Sequence, residues 1–406
     1  MSARLAANSR LIAPTLILAL LTGCSGASLV IAVNAGVEGD ALKAAAREFG
    51  TAHSLAVEIV DLPYANLFEK ELLDLSSRTG AYDVIMIDDP WFPRLAQDNA
   101  LAPLGSQSPD PDFVKSCLDV GRHNGTYYAL PYVGNSQLFF YRKDLFGKYG
   151  LSAPVTWTAV LTAAKKIAAG ENIYGYVMRA APGNPVVADF LPLFWAFGGE
   201  MFSAEGAPAM ASPEGVDALR FMLELGKYSP PGYAGFNADE VSAHLLQSTA
   251  AMSINWPAWI SAMDDPAKSK VGGKIEFAPL PSEKRTGVAE LGTWLLAVPA
   301  ASKRRDRAFQ FVNWATSPDP MKRAALHGNP PTRRSVFLDP ELRAKFRALP
   351  VQLQSLESAR PRPRTPRWNE IENAFGIYLS QANASTLAPE EAMRRAAKDI
   401  AAIVAR

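Results

Sequence analysis

Cysteine is scarce: Cys24 and Cys117 are the only two in 406 residues. A chain that commits one of them elsewhere has no intrachain disulfide, so its stability must come from core burial. The four histidines, His53, His123, His244 and His327, show no metal-ligand spacing, and no CxxC occurs. A zinc site and any other metal or cofactor site are therefore not expected. Net charge is nearly absent as well, with 41 Lys+Arg against 40 Asp+Glu giving +1. Arg4 and Arg10 are the only charged residues before Cys24, so a chain beginning there carries −1. That excludes an overall electrostatic case for nucleic acid or an acidic membrane surface. No fixed-period repeat is visible, which argues against solenoids and propellers. GxSxG, Walker and Ser/His/Asp patterns are missing too. No apolar run reaches the roughly 20 residues that a membrane span needs.

What the chain does have begins at its N-terminus. Arg4 and Arg10 precede an apolar run from Leu11 to Leu21, interrupted by Pro14 and Thr15, and then Leu21-Thr22-Gly23-Cys24. A charged region, a short apolar region and small residues before a cut site describe an export signal over residues 1–23. LTGC resembles the bacterial lipobox, whose cysteine is lipidated and becomes the first residue of the mature protein. Acyl chains contribute roughly 0.8 kcal/mol per buried CH₂, so an acylated Cys24 anchors the chain to a membrane surface, facing outward. The rest is 48% hydrophobic and 20% charged, an ordinary globular composition. At this length two compact domains are expected.

Periodicity predicts an α/β chain. Leu29 to Val33 is a continuous apolar run of strand length, followed by the turn-forming loop Asn34 to Asp40. Leu42, Ala45, Ala46 and Phe49 fall at helical spacing. Val57 and Ile59 mark a second strand, Leu67, Phe68, Leu72 and Leu75 a second helix, and Val84 to Ile87 a third, buried strand ending at Asp88-Asp89-Pro90-Trp91. Alternation of this kind gives a mostly parallel sheet covered on both faces. Such sheets bind ligands beyond the carboxyl ends of their strands, where Glu38, Tyr64, Asp88 and Asp89 fall. A second unit follows: strands at Leu138 to Tyr141, Tyr174 to Met178 and Ala251 to Ile254, with Phe277 to Pro281 closing the segment, and helices capped by Thr156 and by Ser212 before Pro213. Gly292 to Val298 is again a strand.

The stretches YDVIMIDDPW, TYYALPYVGNSQLFFYRKDLF, PVTWTAVLTAAKKIA, AMSINWPAW, GTWLLAVPAASK and GNPPTRRS stand in the order found in one known family. The chain resembles the extracellular solute-binding proteins of carbohydrate ABC importers, of the maltose-binding-protein-like class. That resemblance implies a two-lobed fold of the periplasmic-binding-protein type II kind, each lobe a mostly parallel sheet flanked by helices. It places one lobe at 24–133 with 287–330 and the other at 134–281 with 335–406. Hinge segments are placed near 132–136, 281–287 and 328–335. It also implies capture of a sugar or polyol, delivery to a permease with its ATPase, and a monomeric receptor at the periplasmic or extracellular side.

Sugars need planar hydroxyl partners, which carboxylates and carboxamides provide, and flat rings for their C–H faces, which Trp provides. Of the eight Trp, Trp91, Trp195, Trp256, Trp259 and Trp294 sit at predicted strand ends or loops, while Trp157 and Trp314 lie on apolar helix faces. Trp256 and Trp294 match stacking positions of the family, and Trp195 and Trp259 are further candidates. Glu38 matches the family's first loop, although an acid there also suits a helix N-terminus. Asp89 is favoured as a hydroxyl acceptor over a turn-forming role, and Asn135 as a polar ligand residue beside the hinge. Gly292 is carried over as a backbone contact. The run from Arg360 to Arg367 reads locally as a solvated Pro-rich connector; the resemblance puts one of its arginines, taken as Arg364, in the cleft. The rival reading is a glycoside-acting enzyme using Glu38 and Asp89, since such enzymes hold two carboxyls ~5–9.5 Å apart. Asp88 and Asp89 make a poor pair, because neighbours on an extended strand point to opposite sides.

Overall fold

The computed structural model describes residues 28–105 and 110–406. The export signal and Cys24 lie outside the described residues.

Strand β1 (Leu29–Asn34) runs into helix α1 (Val37–Ala52), strand β2 (Val57–Leu62), helix α2 (Tyr64–Ser77) and strand β3 (Val84–Asp88). Every residue of β3 is buried, as its unbroken apolar run requires of a strand covered on both faces. Further on come β4 (Ala129–Val133), β5 (Leu138–Arg142), helices α3 (Trp157–Gly170), α4 (Asn184–Ala196) and α5 (Pro213–Gly226), strands β6 (Met252–Asn255), β7 (Ile275–Ala278) and β8 (Trp294–Ala297), and the closing helices α6 (Trp368–Asn383) and α7 (Pro389–Val404). Thr156 accepts from the Ala159 amide at 3.1 Å and Ser212 from the Gly215 amide at 3.3 Å, capping α3 and α5 at the expected places.

Two main sheets result. One has the order β2-β1-β3-β8-β4, with β1 parallel to both neighbours and β8 antiparallel to β3 and β4. The other has the order β6-β5-β7. The expected mostly parallel sheet is corrected for this second lobe: β5 runs antiparallel to both β6 and β7. The segment at 174–178 is not a strand either. It lies alongside β6 through Val177 N–H to Met252 O at 2.9 Å, with one parallel bridge from Tyr174 to Ala250.

Between the sheets the chain passes more than once. Ser136 bridges Leu291 in antiparallel fashion and Glu290 bridges Arg360 in parallel fashion, while the Gly134 amide donates to Pro330 O at 2.8 Å. The strand registers then decide what meets what. Trp294 stands opposite Asp88 on one side and Val133 on the other, and Leu138 stands opposite Asn255. Strand ends from both sheets therefore converge where the crossing segments run.

Candidate functional site

Glu38 sits in the first turn of α1 because Gly36, at φ +99°, turns the chain directly from β1 into the helix. A β-carbon at Gly39 would lie 1.8 Å from the Asn34 carbonyl oxygen, so the close return of helix onto strand requires glycine there. The half-buried Glu38 carboxylate then accepts from Asn135 Nδ2 at 2.5 Å, Trp294 Nε1 at 2.9 Å and Asn34 Nδ2 at 3.4 Å. Three elements thus aim donors at one acid. Burial pushes its carboxyl up to about 7, the Asp88 charge adds to this, and the bonds from Asn135 and Trp294 and the charge of Arg179 oppose it.

An aromatic wall backs this acid. Trp294 meets Trp91 edge-on at 5.7 Å and Tyr64 at 5.9 Å, and Tyr64 lies 5.1 Å from Trp91. The Tyr64 hydroxyl donates to Asp88 Oδ2 at 2.9 Å. Trp256, half-buried at the end of β6, approaches from the second sheet. A β-carbon on Gly292 would lie 2.8 Å from its Cη2, so the ring rests against the Gly292 backbone. Arg179 stacks over the same indole at 5.0 Å from the ring centroid and is fixed by Asp189, whose Oδ1 accepts from Nε at 2.5 Å.

Behind the wall lies an ionic cluster. Arg362 Nη2 donates to Asp88 Oδ1 at 2.9 Å and Asp89 Oδ1 at 2.8 Å, and its Nε stands 3.3 Å from Glu290 without hydrogen-bond alignment. Arg364 donates from Nη1 to the Asp89 carbonyl at 2.7 Å and from Nη2 to Val120 O at 2.6 Å. Asp89 and Glu290 are fully sealed. Burial pushes Asp89 up to about 6 and Glu290 up to about 8, with Arg362 opposing in both cases.

The structure therefore brings together Glu38, Tyr64, Asn135, Trp256, Gly292 and Trp294, with Asp89 and Arg364 directly behind them. One placement is corrected, and one further candidate packs elsewhere. Trp195 is neither at a strand end nor in a loop: it is buried in the last turn of α4 under Arg360, whose guanidinium lies 4.7 Å from its ring. Trp259 follows Trp256 in a short 3-10 turn and packs on a separate apolar cluster around Leu245, Ile260 and Phe277. Arg179, Asp189, Glu290 and Arg362 were not singled out from the sequence. For Arg362 a signal existed, since it is one of the four arginines of the run that supplied Arg364.

A family model described as bacterial extracellular solute-binding protein matches residues 35–322. A probable amino-acid ABC transporter periplasmic-binding protein of Sinorhizobium fredii is 31% identical over 383 residues, covering 91% of this chain and 87% of that protein. An ABC transporter solute-binding protein from Agrobacterium radiobacter, solved in complex with ribitol, is similar with a TM-score of 0.87 at 26% identity, covering 93% of this chain and 99% of that one. The maltose-bound MalE3 of T. maritima is similar with a TM-score of 0.87 at 28% identity, covering 92% and 98%.

Proposed function

The chain belongs to the bacterial extracellular solute-binding protein family, and from that membership we propose that its cleft captures a neutral sugar or polyol for delivery to an ABC permease. One observation carries the ligand class: Glu38, held by Asn135 and Trp294, faces the region where Trp256 arrives from the other sheet. A carboxylate fixed by donors from separate elements is pre-organised to accept a hydroxyl, and indole rings supply the apolar face. Ribitol and maltose in the two similar structures are ligands of this chemistry. An amino acid, suggested by the name of the Sinorhizobium relative, is the second reading. It needs a cation for the ligand carboxylate, and Arg179, Arg362 and Arg364 each already face an aspartate. The enzyme reading loses half of its pair, because Asp89 is sealed and bonded to Arg362 and Arg364.

The two lobes take the boundaries placed from the sequence, with one addition. Residues 359–365 also run between them, since Arg360 bridges Glu290 while Arg362 reaches Asp88. Trp195 and Trp259 are left out of the site. The receptor is a monomer, and Cys24 anchors it to the outward membrane face.

A thermal-shift screen against ribitol, mannitol, maltose, glucose and the common amino acids tests the ligand class. Saturation at 100 Kd adds roughly 2.7 kcal/mol to stability. Stabilisation by amino acids alone reverses the reading, and turnover of a glycoside makes the protein an enzyme. Labelled fatty acid entering a Cys24→Ala variant as well as the parent would end the lipoprotein reading.

A further inference from the structure

The cleft's ionisable groups are unequal in number. Glu38, Asp88, Asp89, Asp189, Glu290 and Glu372 gather around Arg179, Arg362 and Arg364, six acids to three guanidinium groups. Each guanidinium has an acid within 3.3 Å: Asp189 for Arg179, Asp88 and Asp89 for Arg362, Asp89 for Arg364. Among the described residues Glu38 has no Lys, Arg or His nitrogen within ion-pair distance. It is also the half-buried member, whereas Asp88, Asp89, Glu290 and Glu372 are closed off behind it.

We propose that Glu38 makes the cleft a charge filter: it admits neutral and amine-bearing (cationic) sugars or polyols and rejects anionic ones such as uronates, aldonates and sugar phosphates. This rests on the sugar or polyol reading above. An incoming anion would stand beside Glu38 and Asp88 in a low-dielectric cleft, where like charges cost far more than in water. Every guanidinium in the cluster already faces a carboxylate that offsets its charge. An ammonium meets the opposite field, and Glu38 is the acid it can reach.

Glu38 is faced by Asp88 from β3, Arg179 ahead of α4, Asn135 from the crossing segment and Trp294 from β8. Its carboxyl, raised to about 7, is largely protonated below that pH and charged above it. A hydroxyl pairs with either form, as donor or acceptor, so neutral ligands bind with little pH dependence. An ammonium pairs only with the carboxylate, so its affinity rises between pH 6 and pH 8 and its binding releases a proton.

Two matched series supply the probes, their amines chosen to stay protonated at pH 8: mannitol, 1-amino-1-deoxymannitol and mannonate; glucose, 6-amino-6-deoxyglucose and glucuronate. Titration calorimetry at pH 6 and pH 8 on the parent and on Glu38→Gln reads the filter. In whichever series the neutral member binds, the amine should bind within threefold of it or tighter at pH 8. The acid should bind at least 30-fold more weakly. Glu38→Gln should narrow the gap between neutral and anionic members by tenfold or more and abolish the pH response of the amine. An acid that rivals its neutral relative overturns the filter, as does a Gln variant with the parent's selectivity. If mannitol, glucose, ribitol and maltose all fail to bind, the sugar or polyol reading falls first, and the filter with it.

Discussion

Gly292 and Trp256 meet so closely that neither can be changed without moving the other. A methyl at Gly292 would sit 2.8 Å from Cη2 and 2.9 Å from Cζ3 of the indole, so the ring must swing away. Overpacking of this kind costs about 1–3 kcal/mol in a sealed core; a half-buried ring gives way at the lower end. Gly292→Ala should therefore weaken ligand binding by roughly 10- to 100-fold, since an aromatic anchor commonly carries ~2–4 kcal/mol, while urea melts shift by less than ~2 kcal/mol. Trp157→Ala is the contrast, a sealed indole whose loss should cost ~3–5 kcal/mol of stability and spare affinity in the folded fraction. Unchanged affinity in Gly292→Ala would remove Trp256 from the site. Residues of this kind were legible where a strand end coincided with a polar or aromatic side chain, as at Glu38, Asn135, Trp256 and Trp294. Arg362 was not. Its flanking prolines give it the local look of a wet connector, and its burial comes from Asp88, Asp89 and Glu290, partners more than 70 residues away that no local pattern reveals.

Among elements, the first unit was readable because its periods are clean: buried runs of strand length alternate with helical spacing from β1 to β3. The second sheet was not, because strand direction depends on long connections: β5 pairs with β6 and β7, each more than 100 residues later. Helix α4 was hidden for another reason. It is buried from Val186 to Ala196 and carries Pro192 inside it, so it shows no polar stripe to betray a helical period. The end of β3 illustrates what such packing imposes. Asp89 and Glu290 titrate near 6 and 8 in the fold, well above carboxyls in an unfolded chain. Between about pH 4.5 and pH 8 the folded state binds more protons than the unfolded state, so stability falls as pH rises through that window, on the order of a few kcal/mol. Below it, surface acids with lowered values such as Glu391, held near 2 by Arg394 and Arg395, lose their contribution as they protonate. Urea melts from pH 4 to pH 8 should peak on the acid side of neutrality. Arg362→Met should cost about 3–5 kcal/mol at pH 8, because it leaves buried carboxyls without their cation, and less at pH 5.5, where protonation relieves them. A loss independent of pH would mean that Arg362 acts through packing alone.

For the whole molecule, the two-lobed architecture followed from the order of six sequence stretches, whereas a fourth passage between lobes, at residues 359–365, did not. Residues 359–365 carry no strand period, yet they hold Arg360 against Glu290 and Arg362 against β3. The cleft therefore lies between sheets tied by several backbone segments and by a buried ionic cluster centred on Arg362. Side chains recruited from both sides, Glu38 and Trp294 on one and Trp256 with Arg179 on the other, already meet at Gly292, so they can admit and then enclose a ligand only if the lobes open and close. The segments that must flex are those near 132–136, 281–287 and 328–335 and the Pro-rich run, which lie at or beyond the strand ends of both sheets. Closure also gives a permease a way to distinguish a loaded from an empty receptor. Solution scattering should then show a radius of gyration falling by roughly 1 Å at saturating ligand, against the ~22 Å of a compact chain of this length. The Gly292→Ala variant, in which Trp256 is displaced, should show a smaller fall at equal saturation. A radius that stays constant while calorimetry reports full occupancy would mean that the lobes are already locked, with Arg362 as the bolt, and that the permease reads something other than closure.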